Sequence, residues 1–536
     1  MENSYNFRRF GTMIDCSRNA VMTVDSLKKW TDIISSLGYN TLLLYMEDTY
    51  EVDDNPYFGY KRGKYSGAEL REIDEYARKK GVEVIPCIQT LAHLNELVGI
   101  PYYRDIVDCN DILLIGSQKV YDLIDNMFKS LSSCLTTKHI NIGMDEAHMV
   151  GRGKYYDING DVDRTKLIVE HLTRVAEIAK KYGFTVSMWS DMFFRLATNG
   201  NYYDANITVP DEIKSLIPDN VELVYWDYYS HDRRHYKAML SAHEKIKKGT
   251  WFAGGFWTWS GFAPHNTFSV KATKAALPEC KKAGVQDVFF TIWGDDTAEC
   301  SKFAILPVMF FAAEFARGEK SMKRIKENFK KQFGISFDAF ISLDLDRSGT
   351  LKNPAKYILY NDLFCGKLDS RIRPTTSEEF AAYARKLARY KKNGEWGYLF
   401  ETLSALCKVV SIKADISFRL VPAYTKGDKN EIKAIIKDCR LLLRRMKELY
   451  TAFEAQWMRE NKPHGFDVQD IRLGGMIVRT EHCIKRLQDF VDGKIDRIEE
   501  LEEPILDYYG LGEERVYDYS ELNSFKKTFT NNTLSW

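Results

Sequence analysis

The chain has 536 residues, 45% of them hydrophobic and 13% aromatic, which is more than one ordinary domain needs and ample for two buried cores. Its 76 Lys and Arg against 75 Asp and Glu leave a formal net charge of +1, so no field attracts nucleic acid or an anionic membrane and a neutral partner is expected. A cytoplasmic location without membrane contact is expected: no run reaches the roughly 18 apolar residues that cross a bilayer, the opening Met1-Glu2-Asn3-Ser4-Tyr5-Asn6 has no signal-peptide core, and ten scattered cysteines include no C-x-x-C pair.

Short β-type runs alternate with amphipathic stretches through the first three-fifths of the chain, the rhythm of parallel strands joined by helices. The runs are Gly11 to Asp15, Thr41 to Met46, Val82 to Ile88, His139 to Met144, Thr185 to Trp189, Val221 to Tyr225, Trp251 to Phe256 and Val288 to Ile292. Between them, Val24 to Ser36, Ala68 to Lys80 and Arg164 to Tyr182 read as helices stopped by Gly38, Gly81 and Gly183. Eight such strands predict an α/β architecture, a (β/α)8 TIM barrel over residues 1–325. A doubly wound sheet is the alternative, but no G-x-G-x-x-G follows the first strand.

Residues 326–536 lose the β-like runs and read as an all-α C-terminal domain. Its clearest helix, Glu431 to Glu460, carries one stripe of Ile432, Ile435, Ile436, Cys439, Leu442, Leu443, Met446, Leu449, Tyr450, Phe453 and Trp457. That stripe is expected to pack against the barrel or across a homodimer.

In a barrel the site lies at the C-terminal strand ends, and the residues there are not random. Strand one leads into Asp15 and Arg18, strand two into Glu47 and Asp48, and strand three into Gln89 and His93. Strand four ends in Asp145, Glu146 and His148; the next four bring Trp189 with Asp191, Trp226 with Asp227 and Tyr228, Trp257 with Trp259, and Trp293 with Asp295 and Asp296. Aromatic walls interleaved with carboxylates suit a sugar, whose C–H faces stack on rings while its hydroxyls take charged acceptors. Alternation along strand four sends Ile140, Ile142 and Met144 to one face and Asn141, Gly143 and Asp145 to the other. Two acids in one dry pocket cannot both be charged, so one of Asp145 and Glu146 is expected to hold a proton at neutral pH. Helix capping by the same pair, a packing role for any single Trp, and a surface ion pair for Arg18 are the blander alternatives. His231 and His235 have metal-ligand spacing but read as a solvated face, and no metal or cofactor is expected.

The segment His139 to Glu146, Arg18, Trp189-Ser190-Asp191 and Trp293-Gly294-Asp295 resemble glycoside hydrolase family 20, the β-N-acetylhexosaminidases. Tyr57-Phe58-Gly59-Tyr60, Ile88 to His93 and Asn461 to Asp467 are similar to its bacterial branch with a helical C-terminal domain. Many members carry a small domain before the barrel, whereas this chain enters strand one almost at once.

The resemblance implies an exo-acting retaining enzyme that removes terminal β-linked N-acetylglucosamine or N-acetylgalactosamine from oligosaccharides, the substrate's acetamido oxygen serving as nucleophile. Asp145 would accept the acetamido N–H, and Glu146 would protonate the leaving oxygen and later activate water. Trp189, Trp226 and Trp293 would wall the acetamido pocket and sugar face, with Trp257 at the same strand ends. Tyr228, preferred to Tyr225, would donate to the acetamido oxygen. Arg18, Glu47 and Asp295 would bear on the sugar hydroxyls, and His93 would support the carboxylates. The rivals are a non-catalytic sugar-binding barrel, a metal-dependent barrel hydrolase, which would want His-x-His where Ile14 to Arg18 stand, and a conventional double-displacement β-glycosidase.

Overall fold

The computed structural model describes residues 6–198, 200–206, 209–345, 353–510 and 523–533; residues 1–5 of the opening read for a targeting signal lie outside them. The chain divides into two compact units, one of Met1–Phe256, Phe268–Trp293 and Val308–Ile325, the other of Trp257–Thr267, Gly294–Pro307 and Lys326–Trp536.

The first unit is a (β/α)8 barrel. Its strands are β1 (Arg9–Asp15), β2 (Thr41–Tyr45), β3 (Glu83–Cys87), β6 (His139–Asn141), β7 (Thr185–Trp189), β8 (Val221–Trp226), β9 (Trp251–Gly255) and β10 (Asp287–Ile292). They pair in parallel in that order, and β10 returns to β1 to close the ring. Between β3 and β6 the sequence reading had passed over an antiparallel hairpin of β4 (Val107–Cys109) and β5 (Ile112–Leu113). Parallel strands covered on both faces should be apolar throughout, and Thr41–Tyr45, Trp251–Gly255 and Asp287–Ile292 are buried at every position.

The helices between strands follow their local signals. Val24–Ser36 is capped by the Thr23 side chain and buries Leu27, Trp30 and Ile34, each worth roughly 1.5–3 kcal/mol. The Trp30 indole N–H donates to Thr12 Oγ1 of β1 at 3.1 Å, fixing the helix to its strand. Gly67–Lys79 begins with a complete capping box of Ser66 and Glu69, and Arg164–Lys181 is capped by Asp163. Gly38, Gly81 and Gly183 all take positive φ at the helix ends, as the sequence predicts.

The second unit is helical beyond residue 325. Gly397–Thr425 packs on Thr376–Ala388 and on Lys429–Glu460, which in turn packs on Phe466–Val491. Ile432, Ile435, Ile436, Cys439, Leu442, Met446, Leu449, Phe453 and Trp457 are buried, so the stripe that motivated a homodimer is covered within its own chain. Among the described residues no helix is long and apolar enough to cross a membrane.

Candidate active site

The acidic dipeptide sits where the chain leaves β6, and its local geometry departs from the expected strand. The strand ends at Asn141, with Ile142 N still donating to Ser187 O at 2.8 Å, and Gly143, Met144 and Glu146 take φ of 73°, 70° and 52°. The alternation predicted for Ile142 to Asp145 therefore does not hold. Its cause is Gln89, at the end of β3, whose Oε1 accepts from Met144 N at 3.1 Å. A Cβ on residue 143 would lie 2.1 Å from that oxygen, so only glycine fits there. Glu47 and His93 are also left-handed, at φ 39° and 56°. Each non-glycine residue in that region costs of the order of 1–3 kcal/mol, and such strain concentrates where side chains must be aimed.

The turn at Glu146 places neighbouring carboxylates in opposite surroundings. Asp145 has a side chain only 12% exposed, accepts from Gln89 Nε2 at 2.7 Å, and pairs with His93 Nε2 at 3.3 Å, an ion-pair distance outside hydrogen-bond alignment. Burial works to raise its pKa, but the charge of His93 and the Gln89 bond prevail and hold it below the ordinary carboxylate value. Burial likewise opposes charge on His93, yet Asp145 raises its pKa to about 9. Glu146 is 40% exposed, 3.7 Å from His93 Nε2 and 3.4 Å from Arg195 Nη2.

Asp191 completes this side of the site. It opens the helix Asp191–Ala197 after β7 and is fully buried; its Oδ2 accepts from Glu146 N and Arg195 Nε, both at 3.0 Å. Burial and the nearby Asp145 charge push its pKa up to about 7. Of the acidic pair, Asp145 is thus the member held as an anion. Glu146 reaches solvent, and Asp191 is the acid that shares the dry interior with Asp145.

On the other side, Tyr45 at the end of β2 donates to Glu47 Oε1 at 2.9 Å and receives Gln89 Nε2 at 3.0 Å. Arg18 Nη1 pairs with the same Glu47 oxygen at 2.8 Å, and its guanidinium lies 5.3 Å from the Tyr45 ring and 5.8 Å from that of Trp293. Burial raises the Glu47 pKa to about 7 despite Arg18. Asp48 is set apart, neutralised by Arg62 at 3.2 Å. Asp15 and Glu47 thus pair with Arg18, Asp145 with His93, Glu146 with His93 and Arg195, and Asp191 with Arg195.

The barrel's aromatic wall is Trp189, Trp226, Tyr228 and Trp293. Trp189 and Trp293 have ring centroids 6.1 Å apart, and Tyr228 stacks on Trp226 at 5.4 Å with its hydroxyl bonded to the side chains of Trp293 and Thr291. Tyr225 points elsewhere, giving its hydroxyl to Asp227 at 2.8 Å and packing on His243 of the helix layer. Among the described residues, the buried indole N–H groups of Trp189 and Trp226 and Oδ1 of Asp191 have no hydrogen-bond partner. Arg18, Glu47, His93, Asp145, Glu146, Trp189, Trp226, Tyr228 and Trp293 all belong to the barrel unit, whereas Trp257 and Asp295 fall in segments grouped with the second unit. There Trp257 stacks on Trp259 at 4.4 Å, and Asp295 takes φ 35°.

Sequence reasoning placed Gln89 and Asp191 at the strand ends without assigning either a part in the chemistry, and passed over Tyr45 and Arg195. Arg195 had a usable signal, since it lies one helical turn beyond Asp191 and so faces the same way. His235, read as solvated, is paired with Asp227 at 2.7 Å. Among the described residues no group of three His, Cys, Asp or Glu is arranged to hold a metal ion.

Comparison with known proteins bears on the same segments. Residues 5–246 match the family model for the glycosyl hydrolase family 20 catalytic domain, and residues 338–518 match that for the glycoside hydrolase 20C C-terminal domain. Hexosaminidase D of Bos taurus is 26% identical over 240 residues, 43% of this chain and 64% of that protein. The human hexosaminidase D is 25% identical over 241 residues, 42% of this chain and 46% of that protein. The chain thus spans less than two thirds of either relative's length. A solved family 20 exo β-N-acetylglucosaminidase from Vibrio harveyi, in complex with N-acetylglucosamine, aligns at a TM-score of 0.49 and 14% identity, covering 64% of this chain and 59% of that one.

Proposed function

The chain belongs to glycoside hydrolase family 20, and on that premise we propose that it is an exo-acting retaining β-N-acetylhexosaminidase working on oligosaccharides with a terminal N-acetylhexosamine. The acetamido carbonyl oxygen attacks the anomeric carbon as the glycosidic C–O bond breaks, giving an oxazolinium ion. Glu146 gives its proton to the leaving oxygen, then takes one from the water that opens the ion, so configuration is retained. Asp145 accepts the acetamido N–H and balances the positive charge that develops on the ring.

One observation carries this reading: consecutive carboxylates turned into opposite surroundings. Asp145, buried and held ionised by His93 and Gln89, suits a fixed anion, whereas Glu146, 40% exposed, suits proton exchange with substrate and water. A protein nucleophile about 5 Å across the scissile bond from the acid is hard to supply from the adjacent residue, but the substrate's own carbonyl needs none. Making the attack intramolecular lowers the barrier by several kcal/mol. Trp189, Trp226 and Trp293 serve as the acetamido and sugar walls, Tyr228 as donor to the acetamido oxygen, and Arg18 with Glu47 as partners of the ring hydroxyls. A cytoplasmic location is part of the reading, supported by ten free cysteines.

The test is release of nitrophenol from the β-N-acetylglucosaminide and from the plain β-glucoside by wild type, Asp145→Asn and Glu146→Gln. Only the acetamido sugar should turn over, and each variant should lose roughly 100-fold or more. Comparable glucoside turnover would put the nucleophile in the protein and end this assignment.

A further inference from the structure

Three tyrosines of the barrel unit stand in solvent where burial would be expected. Tyr57, Tyr60 and Tyr102 are 42%, 55% and 59% exposed. They form one patch, with Tyr57 4.7 Å from Tyr102 at a 34° tilt and 6.3 Å from Tyr60. Tyr102 rests edge-on against Tyr103, which is 3% exposed. Tyr57 and Tyr60 lie on the loop that leaves β2, and Tyr102 on the excursion that leaves β3, so all three are at the end of the barrel where Glu47 and His93 stand. Among the described residues of the unit eight large apolar side chains are exposed, and seven, all but Leu216, fall in the segments that follow strand C-termini, Tyr156 and Ile158 on the short helix Lys154–Asn159, which places adhesive surface at the substrate's end.

The patch is continuous with the site. Arg62, two residues beyond Tyr60, bonds Asp48 Oδ1 at 3.2 Å, Asn19 Oδ1 at 2.9 Å and the carbonyl of Ser17, beside Arg18. Gly59, at φ 61°, lets the loop fold back onto the Asp48 carbonyl, where a Cβ would come within 2.1 Å. Asp48 adjoins Glu47 in sequence, and its charge is felt by Tyr103 beneath the patch. Three phenol rings cover about one or two pyranose rings, far less than the roughly 800 Å² per partner of a stable protein interface. Their faces accept sugar C–H groups and their hydroxyls reach sugar hydroxyls.

We propose that Tyr57, Tyr60 and Tyr102 form a stacking subsite for the leaving-group sugars of the oligosaccharide. The proposal rests on the hexosaminidase reading, in which the terminal sugar occupies the pocket of Asp145 and Glu146 and the remainder of the glycan lies outside it. The subsite acts on the ring beyond the first leaving position, because the nitrophenyl group, like the single leaving sugar of a dimer, fills only the position next to the scissile bond.

The experiment compares nitrophenyl β-N-acetylglucosaminide with the β-1,4-linked N-acetylglucosamine dimer and trimer, using wild type, Tyr57→Ala/Tyr102→Ala and Tyr57→Phe/Tyr102→Phe, with light scattering on each. Wild type should favour the trimer over the dimer by about tenfold in kcat/KM, one further stacked ring. The alanine variant should lose that preference through KM and keep the nitrophenyl kcat/KM within about twofold, while the phenylalanine variant keeps both. Equal wild-type use of dimer and trimer, a trimer preference untouched by the alanines, or nitrophenyl and trimer rates falling together would each overturn the subsite. So would loss of self-association without loss of preference, which makes the patch a protein contact. A wild type that turns over none of these sugars ends the hexosaminidase reading, and the subsite with it.

Discussion

Two buried charge clusters, one in each unit, are built from the same residue types to opposite effect. In the helical unit Lys356 Nζ lies 2.9 Å from Asp296 and 2.8 Å from Glu299, Arg472 lies 2.6 Å and 3.2 Å from the same two acids, and Tyr360 donates to Glu299 at 2.7 Å. Two carboxylates meet two cations, and although burial works to raise the pKa of Asp296, Lys356 and Arg472 bring it down to about 2. At the barrel's strand ends the cations do not prevail in the same way: burial raises Glu47 to about 7 despite Arg18, and burial with the Asp145 charge raises Asp191 to about 7 despite Arg195. Asp296, tied between two cations, stays ionised throughout the neutral range. Buried acids raised to near neutrality, such as Glu47 and Asp191, keep exchangeable protons at neutral pH.

Removing one cation from each cluster is the harshest test of that contrast. Lys356→Met should cost about 3–5 kcal/mol of stability at pH 7, because it strands buried carboxylates. Arg195→Met should cost less than about 2 kcal/mol, because Asp191 can take up a proton in its place. Equal losses in urea unfolding at pH 7 would break the comparison.

Next in size is the pH dependence. The folded pKa of Asp191, about 7, is above its unfolded value, so its stabilising contribution is full below about pH 4 and lost as pH rises through 7. Asp191→Asn cannot ionise, so its stability relative to wild type should improve between pH 5 and 8, by up to a few kcal/mol. Asp296 has the opposite sign: its contribution is present above about pH 4 and lost as pH falls toward 2, so the deficit of Asp296→Asn should shrink in acid. Melting temperatures across pH 3 to 8 check both, and parallel profiles for the two variants would contradict the account.

The smallest effect concerns Arg18. Its Nη1 reaches Glu47 at 2.8 Å while its planar guanidinium lies 5.3 Å from the Tyr45 ring and 5.8 Å from that of Trp293, a combination that lysine cannot reproduce. Arg18→Lys should raise KM for the N-acetylglucosaminide about tenfold with kcat little changed, whereas an equal fall in kcat would move Arg18 from holding the sugar to the chemical step.

The barrel was legible because its signals are local. Apolar runs such as Thr41–Tyr45 and Val288 to Ile292, with glycine stops at Gly38, Gly81 and Gly183, recur often enough to count strands without knowing their partners. The hairpin Val107–Cys109 and Ile112–Leu113 escaped notice because strands of three and two residues carry no periodicity. The same locality found the strand-end acids and tryptophans, since both follow directly from where each run stops.

What the amino-acid order determined by itself was the strand count, the helical character beyond residue 325 and the set of chemical groups delivered to the barrel's end. What the tertiary structure alone decided was how those groups share charge. Gln89, far from Gly143 in the chain, broke the alternation of the acidic strand and aimed Asp145 inward; Asp191, not Glu146, became its buried companion; and the stripe from Ile432 to Trp457 found its cover within the chain. Periodicity is a property of neighbours in sequence, whereas a proton's location depends on burial and on distances of a few ångströms between residues the chain keeps far apart.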